Sequence, residues 1–181
     1  MEALRLRFDE GYREEAELAD GIRVVLRRLG PRDSELLARH FASLSAESRH
    51  RRFLGAKAAL SESELRFYTQ IDGEMHFALV AVLAEDPRQA IGIARFIRSP
   101  SAPEVAEPAV AVSDGMQLHG LGSLLAKRLA EAALERGVSR FHWDMMSDND
   151  PILRLMHQSG RIPTVAIQGA TSEVDLPLRA E

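Results

Sequence analysis

The sequence predicts an α/β (α+β) fold, with a mixed, mostly antiparallel central sheet and helices on both sheet faces. Short apolar segments bounded by turn residues indicate strands, and longer segments with a 3.6-residue apolar period indicate amphipathic helices. One strand–helix–strand unit lies between pairs of segments that are typical of antiparallel hairpins. This order of elements is typical of a layered domain.

Length, charge and composition limit the class of protein. A chain of 181 residues predicts one domain over 1–181, with 1–20 as a candidate peripheral N-terminal extension. The net charge of -4 disfavours a nucleic-acid or anionic-membrane role, and the lack of cysteine excludes disulfides, thiolate metal sites and a cysteine nucleophile. The charged N-terminus does not resemble a signal peptide, and no apolar stretch is long enough to span a bilayer. We therefore expect a cytoplasmic protein without membrane or nucleic-acid partners.

The first half of the chain predicts two strands followed by helices. Residues 14–18 and 22–29 are expected to form a hairpin, and the next helix has an apolar face that includes His40. That position favours a histidine at the edge of the core over a ligand. Residues 44–53 predict a helix end, a serine-capped turn and a solvated basic face, with an arginine cluster that faces an anion or an acidic partner as the alternative. Ser61-Glu62-Ser63-Glu64 is a capping box that opens another helix.

The second half predicts the centre of the sheet. Strands at 77–83 and 90–97 are expected to form a hairpin, and the central strand covers 109–112. An amphipathic helix then extends to Arg136-Gly137, where glycine is expected after the helix C-terminus. A further strand covers 138–145.

A helix and two strands are predicted at the end of the chain. Asp150 is expected to cap the helix, and Pro151 occupies its first turn. That helix ends before Gly160. Two short strands around Gly169 are expected within 162–178.

The loop between the central strand and the long helix carries the most informative motif. The first N–H groups of a helix lack intrahelical acceptors and the helix dipole adds partial positive charge, so such a loop can bind phosphate. A turn with tight packing is the alternative. The pattern lacks the Gly-Lys-Ser/Thr of a Walker loop and has only one Gly-x-Gly pair of the dinucleotide motif. The loop reads Gln117-Leu118-His119-Gly120-Leu121-Gly122-Ser123.

The spacing Gln117-x-x-Gly120-x-Gly122 resembles the pyrophosphate loop of the GCN5-related N-acetyltransferases (GNAT), and the predicted element order resembles their fold over almost the whole chain. Three further segments resemble the acetyltransferase domain of bacterial protein lysine acetyltransferases (Pat-like enzymes). These segments are residues 44–53 with Ser48-Arg49-x-x-Arg52-Phe53, residues 106–112 beginning with Ala106-Glu107, and Asp148-Asn149.

The resemblance implies the activity and the partners. It implies acetyl-CoA as the co-substrate, no metal, and transfer of the acetyl group to an amine by direct attack. The acceptor implied is a protein lysine, for example on an acyl-CoA synthetase, and a homodimer is compatible with it. The alternatives are a small-molecule amine acetyltransferase and a non-catalytic acetyl-CoA-binding regulatory module.

The resemblance also implies a role for each site residue. Glu107 corresponds to the general base that takes the proton of the amine, with Glu104 as the alternative base. Val112 corresponds to the backbone donor for the oxyanion, while Val110 and Asn149 correspond to contacts with the pantetheine arm. A turn residue or a helix cap is the alternative for Asn149. The pyrophosphate is expected on the backbone of Gln117, Leu118, His119, Gly120, Leu121, Gly122 and Ser123.

The sequence departs from the family pattern at two points. Pro108 follows the expected base, and proline restricts the backbone of the residue before it. Residues 153–157 lack the tyrosine that protonates the leaving thiolate in many relatives, and His157 is the candidate substitute.

Overall fold

The computed structural model describes residues 6–158 and 160–179, and the side chains of all of these except residues 157 and 158. The described residues form one eight-stranded sheet and five α-helices. In chain order the elements are β1 (Arg13–Glu17), β2 (Arg23–Arg28), α1 (Ser34–Ser43), α2 (Ala46–Phe53), α3 (Glu62–Thr69), β3 (His76–Leu83), β4 (Ala90–Arg98), β5 (Val105–Val112), α4 (Leu121–Glu135), β6 (Arg140–Met146), α5 (Asp150–Gln158), β7 (Thr164–Gln168) and β8 (Thr171–Pro177).

The sheet confirms the predicted mixed, mostly antiparallel architecture. Its strand order is β1-β2-β3-β4-β5-β6-β8-β7, and every neighbouring pair is antiparallel except β5 and β6. The single parallel pair is the one joined by α4, because parallel strands need a crossover connection. In the part of the chain that the structure describes, no helix is both long enough and apolar enough to cross a membrane.

Helices cover both faces of the sheet, as predicted. On one face α4 buries Leu121, Leu125 and Leu129 against the strands, in a core that also contains Phe96 and Phe141. On the other face α1 packs Leu36 and Leu37 against alternate residues of β2 to β4. The alternation of strand side chains between the two faces gives both cores their residues.

The central strand begins four residues earlier than the predicted segment 109–112, and it contains Pro108. Two hydrogen bonds at the ends of the strand set its register: Ser99 N–H donates to Val105 O, and Ser113 N–H donates to Ile91 O. The odd-numbered residues of β5 are therefore those that hydrogen-bond to β4. Pro108 therefore lies opposite Phe96 in a non-hydrogen-bonded pair. The N–H that proline lacks would have pointed away from β4, so its loss breaks no bond to that strand.

Two predictions about helix starts are corrected. Residues 46–53 form a separate helix and not only a capped turn, with Ser45 as the predicted cap accepting a bond from Ser48 N–H at 3.1 Å. Asn149, and not Asp150, caps α5, because its Oδ1 accepts from Ile152 N–H at 3.4 Å. Asp150 is the first residue inside that helix.

The basic segment of α2 also differs from the predicted solvated face. Arg51 pairs with Glu47 at 2.6 Å, and the guanidinium groups of Arg49 and Arg52 lie over the rings of Phe41 and Phe53. None of these three arginines belongs to the exposed class of residues. This arrangement suits arginine, because a guanidinium group over the face of an aromatic ring is attracted by the ring.

The N-terminal segment forms the edge of the sheet and part of the core. Phe8 is fully buried, and β1 pairs with β2 along its whole length. Glu14 attaches this edge to α4 by accepting bonds from Arg128 at 2.7 and 2.8 Å and from the Tyr12 hydroxyl at 2.6 Å. These bonds, the Arg128 pair first, lower the pKa of Glu14 to about 2 from 4.5.

We expect Glu14→Gln to destabilise the protein at neutral pH by about 2–3 kcal/mol, because a folded-state pKa below the unfolded value stabilises the ionised protein. The difference from wild type should persist above pH 4.5 and disappear as the pH falls towards 2, where Glu14 is protonated in both states. Urea denaturation across this pH range measures it. Glu15→Gln is the matched control on the same strand, since the Glu15 side chain is 72% exposed. Equal losses in the two variants would contradict the assignment.

Candidate active site

The candidate site lies where β5 and β6 separate. The two strands pair only at Val105 with Arg140 and at Ala106 with Phe141. Beyond these pairs they diverge and border a cleft of about 1050 Å³, which also extends along α2, the glycine loop, α4 and α5. The separation is the feature that makes room for a ligand beside the central strand.

The register of β5 directs two backbone N–H groups towards this cleft. Because the odd-numbered residues bond to β4, the N–H groups of Val110 and Val112 point to the side from which β6 has departed. Both valines line the cleft. Gln117 Nε2 donates to Val112 O at 3.4 Å, which joins the end of the strand to the loop that follows.

The glycine loop turns sharply before α4. Leu118 and Gly120 have positive φ values of 68° and 88°, and Gly120 is the N-cap of the helix. The Leu118 side chain is 90% exposed. Leu121 is fully buried in the core, so this residue can offer a ligand only its backbone. Gly122 and Ser123 line the cleft within the first turn of α4, where N–H groups are available to an anion.

The His119 side chain points away from the cleft. Its Nδ1 lies 2.5 Å from Asp20 Oδ2, in the turn between β1 and β2. This ion pair attaches the loop to the rest of the sheet. Of the seven loop residues named by the sequence analysis, His119 and Leu121 are the two whose side chains do not line the cleft.

Asp114 attaches α2 to the loop, a role that the sequence analysis missed. Its carboxylate accepts bonds of 2.8 Å from Ser45 N–H, the Ser45 hydroxyl and the Ser48 hydroxyl. Burial opposes ionisation of this carboxyl, but the bonds from Ser45 and Ser48 outweigh it and lower the pKa of Asp114. Gln117 Nε2 also reaches the Ser48 hydroxyl at 3.4 Å. The Ser-x-x-Ser spacing carries no sequence signal for so distant a partner.

Glu107 stands at the mouth of the cleft, one residue after the last β5–β6 pair. It is exposed and lines the cleft, whereas Glu104 precedes the strand and does not line it. The charge of Glu107 is close enough to Arg52 to raise the pKa of that arginine. It acts against burial, which lowers the same pKa. By strand alternation the Glu107 side chain is on the sheet face opposite α4.

Asn149 combines a structural position with a place in the cleft. It is buried, caps α5 through its Oδ1, and lines the far end of the cleft. Ser48 and Trp143 also line the cleft, without any role expected from the sequence. The side chain of His157, the candidate substitute for the missing tyrosine, lies outside the described residues.

One group of side chains beside the cleft has donor atoms that a metal ion could use. Ligand atoms of His142, Glu173 and Asp175 lie within 4.8 Å of one another. His142 already pairs with Asp175 at 3.3 Å and with Glu173 at 3.6 Å, and Arg140 pairs with Asp175 at 3.3 Å. These contacts already occupy ligand atoms of all three residues.

We expect Gly120→Ala to destabilise the protein by about 1–2 kcal/mol, because a side chain at φ +88° is strained. Gly122→Ala is the matched control two residues away. Its added Cβ would meet Val112 at an ordinary 3.8 Å, without positive φ, so we expect little change in stability. Urea denaturation measures both variants. A Gly122→Ala loss as large as that of Gly120→Ala would contradict this account of the loop.

Comparison with known proteins bears directly on this site. The profile of the Acetyltransferase (GNAT) family matches residues 43–160. The chain is 30% identical over 154 residues to acetyltransferase Pat of Mycolicibacterium smegmatis, an alignment that covers 84% of the chain and 45% of that relative. The chain thus corresponds to less than half of that protein.

Solved structures agree with this comparison at the level of the fold. The GNAT domain of S. lividans PAT superposes with a TM-score of 0.83 at 23% identity, over 91% of this chain and 96% of that one. The structure of yncA from Salmonella typhimurium with its cofactor acetyl-CoA superposes with a TM-score of 0.67 at 18% identity, over 85% and 92% of the two chains. The family match covers the cleft-forming segments from α2 to α5, and the chain belongs to the GNAT acetyltransferase family.

Proposed function

We propose that the chain transfers the acetyl group of acetyl-CoA to a protein lysine, with Glu107 as the general base. The observation that carries this proposal is the position of Glu107. It is an exposed carboxylate at the point where β5 and β6 part, beside the backbone N–H groups that face the cleft. A base must lie within reach of the proton that it removes, directly or through one water.

The proposed reaction has three parts. The lysine amine loses a proton to the Glu107 carboxylate, and its nitrogen attacks the thioester carbonyl carbon. An N–C bond forms, the C–S bond breaks and the thiolate of CoA departs. The N–H of Val110 donates to the carbonyl oxygen as negative charge develops on it, because Val110 is the cleft-facing donor nearer to Glu107. Val112, which the resemblance implies for this role, lies roughly 16 Å from Glu107 along an extended strand. A thiolate has a low enough basicity to leave without a dedicated acid, because its conjugate thiol ionises with a pKa near 8.5.

The glycine loop and the separated strands support acetyl-CoA as the co-substrate. The start of α4 suits the pyrophosphate, and the outward N–H group of Val112, next to that loop, suits an amide group of the pantetheine arm. Asn149 at the far end of the cleft suits the same arm. A GNAT structure of the same fold contains acetyl-CoA.

The surface beside Glu107 supports a cationic acceptor. Asp144, Glu173 and Asp175 lie on the same sheet face as Glu107, on β6 and β8. Asp144 is exposed, and the other two carboxylates are partly exposed. A lysine on a protein surface could reach Glu107 across this open face, and its charge is complemented chiefly by Asp144, since Glu173 and Asp175 already contact His142 and Arg140. By the Pat-like resemblance, an acyl-CoA synthetase is a suitable protein acceptor.

Acetyl-CoA should raise the thermal stability of the protein, because a ligand that binds only the folded state stabilises it. At about a hundred times its dissociation constant it should add roughly 2.7 kcal/mol to the free energy of unfolding. A thermal melt with and without acetyl-CoA measures this, with adenosine as the control. The absence of any rise at millimolar acetyl-CoA would overturn the assignment of the loop.

We expect Glu107→Gln to lower the turnover number by about 10²–10⁴-fold while the stabilisation by acetyl-CoA is retained, since the amide keeps the size of the side chain but cannot accept the proton. Glu104→Gln is the matched control three residues earlier and should retain turnover. Mass spectrometry of lysine acetylation on a purified acyl-CoA synthetase provides the assay, with free lysine and a polyamine as small acceptors. Normal turnover by Glu107→Gln would exclude it as the base, and a preference for the small acceptors would exclude the protein acceptor.

A further inference from the structure

A buried arginine side chain lies behind the cleft, on the sheet face opposite α4. Arg95 is on β4, directly opposite Ala109 of the central strand, and is only 5% exposed. Arg52 of α2 lies close enough for its charge to lower the pKa of Arg95. No ion pair between described residues includes either guanidinium group, so no described carboxylate neutralises them within 4.0 Å.

The hydrogen bonds of Arg95 leave most of its donors unused. Within the described chain, its hydrogen-bond partners are Tyr68 O at 3.4 Å and His76 Nε2 at 3.5 Å, and both bonds come from Nη1. Its guanidinium stacks on the Tyr68 ring at 4.1 Å. A guanidinium has five N–H donors. Nε and Nη2 therefore have no acceptor among the described protein groups.

These groups line a recess that opens from the wall of the cleft. The recess has a volume of about 30 Å³ and lies between α1, α2, α3 and strands β4 and β5. Arg52 and Phe53 line both the recess and the cleft. His40 also lines the recess; it is 3% exposed, and its Nε2 is buried without a hydrogen-bond partner. Because His40 Nδ1 lies 3.3 Å from Ala90 O and must donate to it, Nε2 of the neutral ring is an acceptor, and only the two guanidinium groups offer unused donors in this space.

The electrostatic balance of this space is unfavourable without an anion. Burial and, to a smaller extent, the charge of Arg52 together lower the pKa of Arg95 to about 9. Glu107 and the Tyr68 hydroxyl are the groups that favour the charged form of Arg52. Glu107 stands at the mouth of the cleft and is not a lining residue of the recess. Buried charges without a partner are costly, and an anion with good hydrogen bonds removes that cost.

We propose that the recess between Arg52 and Arg95 binds one small monoanion, either a free halide or the carboxylate group of a small ligand. The recess has room for one water-sized group, which suits chloride or one carboxylate oxygen of a small anion such as formate, and a bulky anion does not fit inside it. Arg95 would donate its free N–H groups to the anion, while the rings of Phe53 and Tyr68 exclude water. The proposal does not rest on acetyl transfer.

Thermal melts of the whole chain test this site at constant ionic strength. Sodium chloride or sodium formate replaces sodium isethionate, a sulfonate that is too large for the recess. We expect a saturating rise in the melting temperature of about 2–4 °C with at least one of the two small anions. Arg95→Met, which keeps an unbranched apolar stem but removes the guanidinium group and its charge, should abolish the response. Arg88→Met is the matched control, because the Arg88 side chain is 88% exposed and does not line the recess.

The two anions distinguish the sources of the ligand. A response to chloride and formate supports a free monoanion, and a response to formate alone supports the carboxylate of a ligand. If neither anion stabilises the wild type, or if Arg95→Met responds equally, the proposal is overturned.

Anomalous diffraction from wild-type crystals grown in bromide keeps the test independent of the folding of the variant. A bromide peak between Arg52 and Arg95 supports the site. Ordered water alone at that position overturns it.

Discussion

The separation of β5 from β6 is the constraint on which the rest of the site depends. A strand in the middle of a sheet normally has all its N–H and C=O groups bonded to two neighbours, whereas β5 has a second neighbour only as far as Ala106. Beyond that residue, Val110 and Val112 direct backbone donors into the cleft. The same separation explains why proline is tolerated at 108, since the missing donor would have faced the side that β6 leaves. One topological feature therefore provides the room, the donors and the position of Glu107.

The cleft keeps its shape because charged and polar side chains join its walls. Asp114 binds the N-terminus of α2 through both Ser45 and Ser48, and His119 attaches the opposite side of the glycine loop to the turn that contains Asp20. Both attachments use side chains next to the loop and leave its backbone facing the cleft. A loop with two positive-φ residues gains little stability from its own contacts. The contacts of Asp114 and His119 therefore provide stability that the loop's own contacts do not.

Local patterns predicted much of the fold and the loop, because they depend on neighbouring residues. The hairpins, the capping box at Ser61 and the glycine turn before α4 are all confirmed, and each follows from the propensities of a few adjacent residues. Sequence alone could not predict that β5 extends through Pro108, since that depends on where β6 ends. It could not predict the burial of Arg95 or the long-range partners of Asp114, because both arise from elements that meet only in the folded chain.

The charges around Glu107 are divided by the fold, and this division constrains the direction from which an amine can approach. Arg52 lies on the α2 side of Glu107, with Arg95 buried behind it, so that side repels a protonated amine. On the other side β6 and β8 present Asp144 and Asp175 on the same sheet face. A cation is therefore favoured along the β6–β8 side and disfavoured along α2. An anion in the recess would neutralise part of the positive charge on the α2 side of Glu107. The difference in charge between the two sides would then be smaller. The proposed anion site is in this way coupled to the electrostatics of the cleft, without any change in the shape of the cleft.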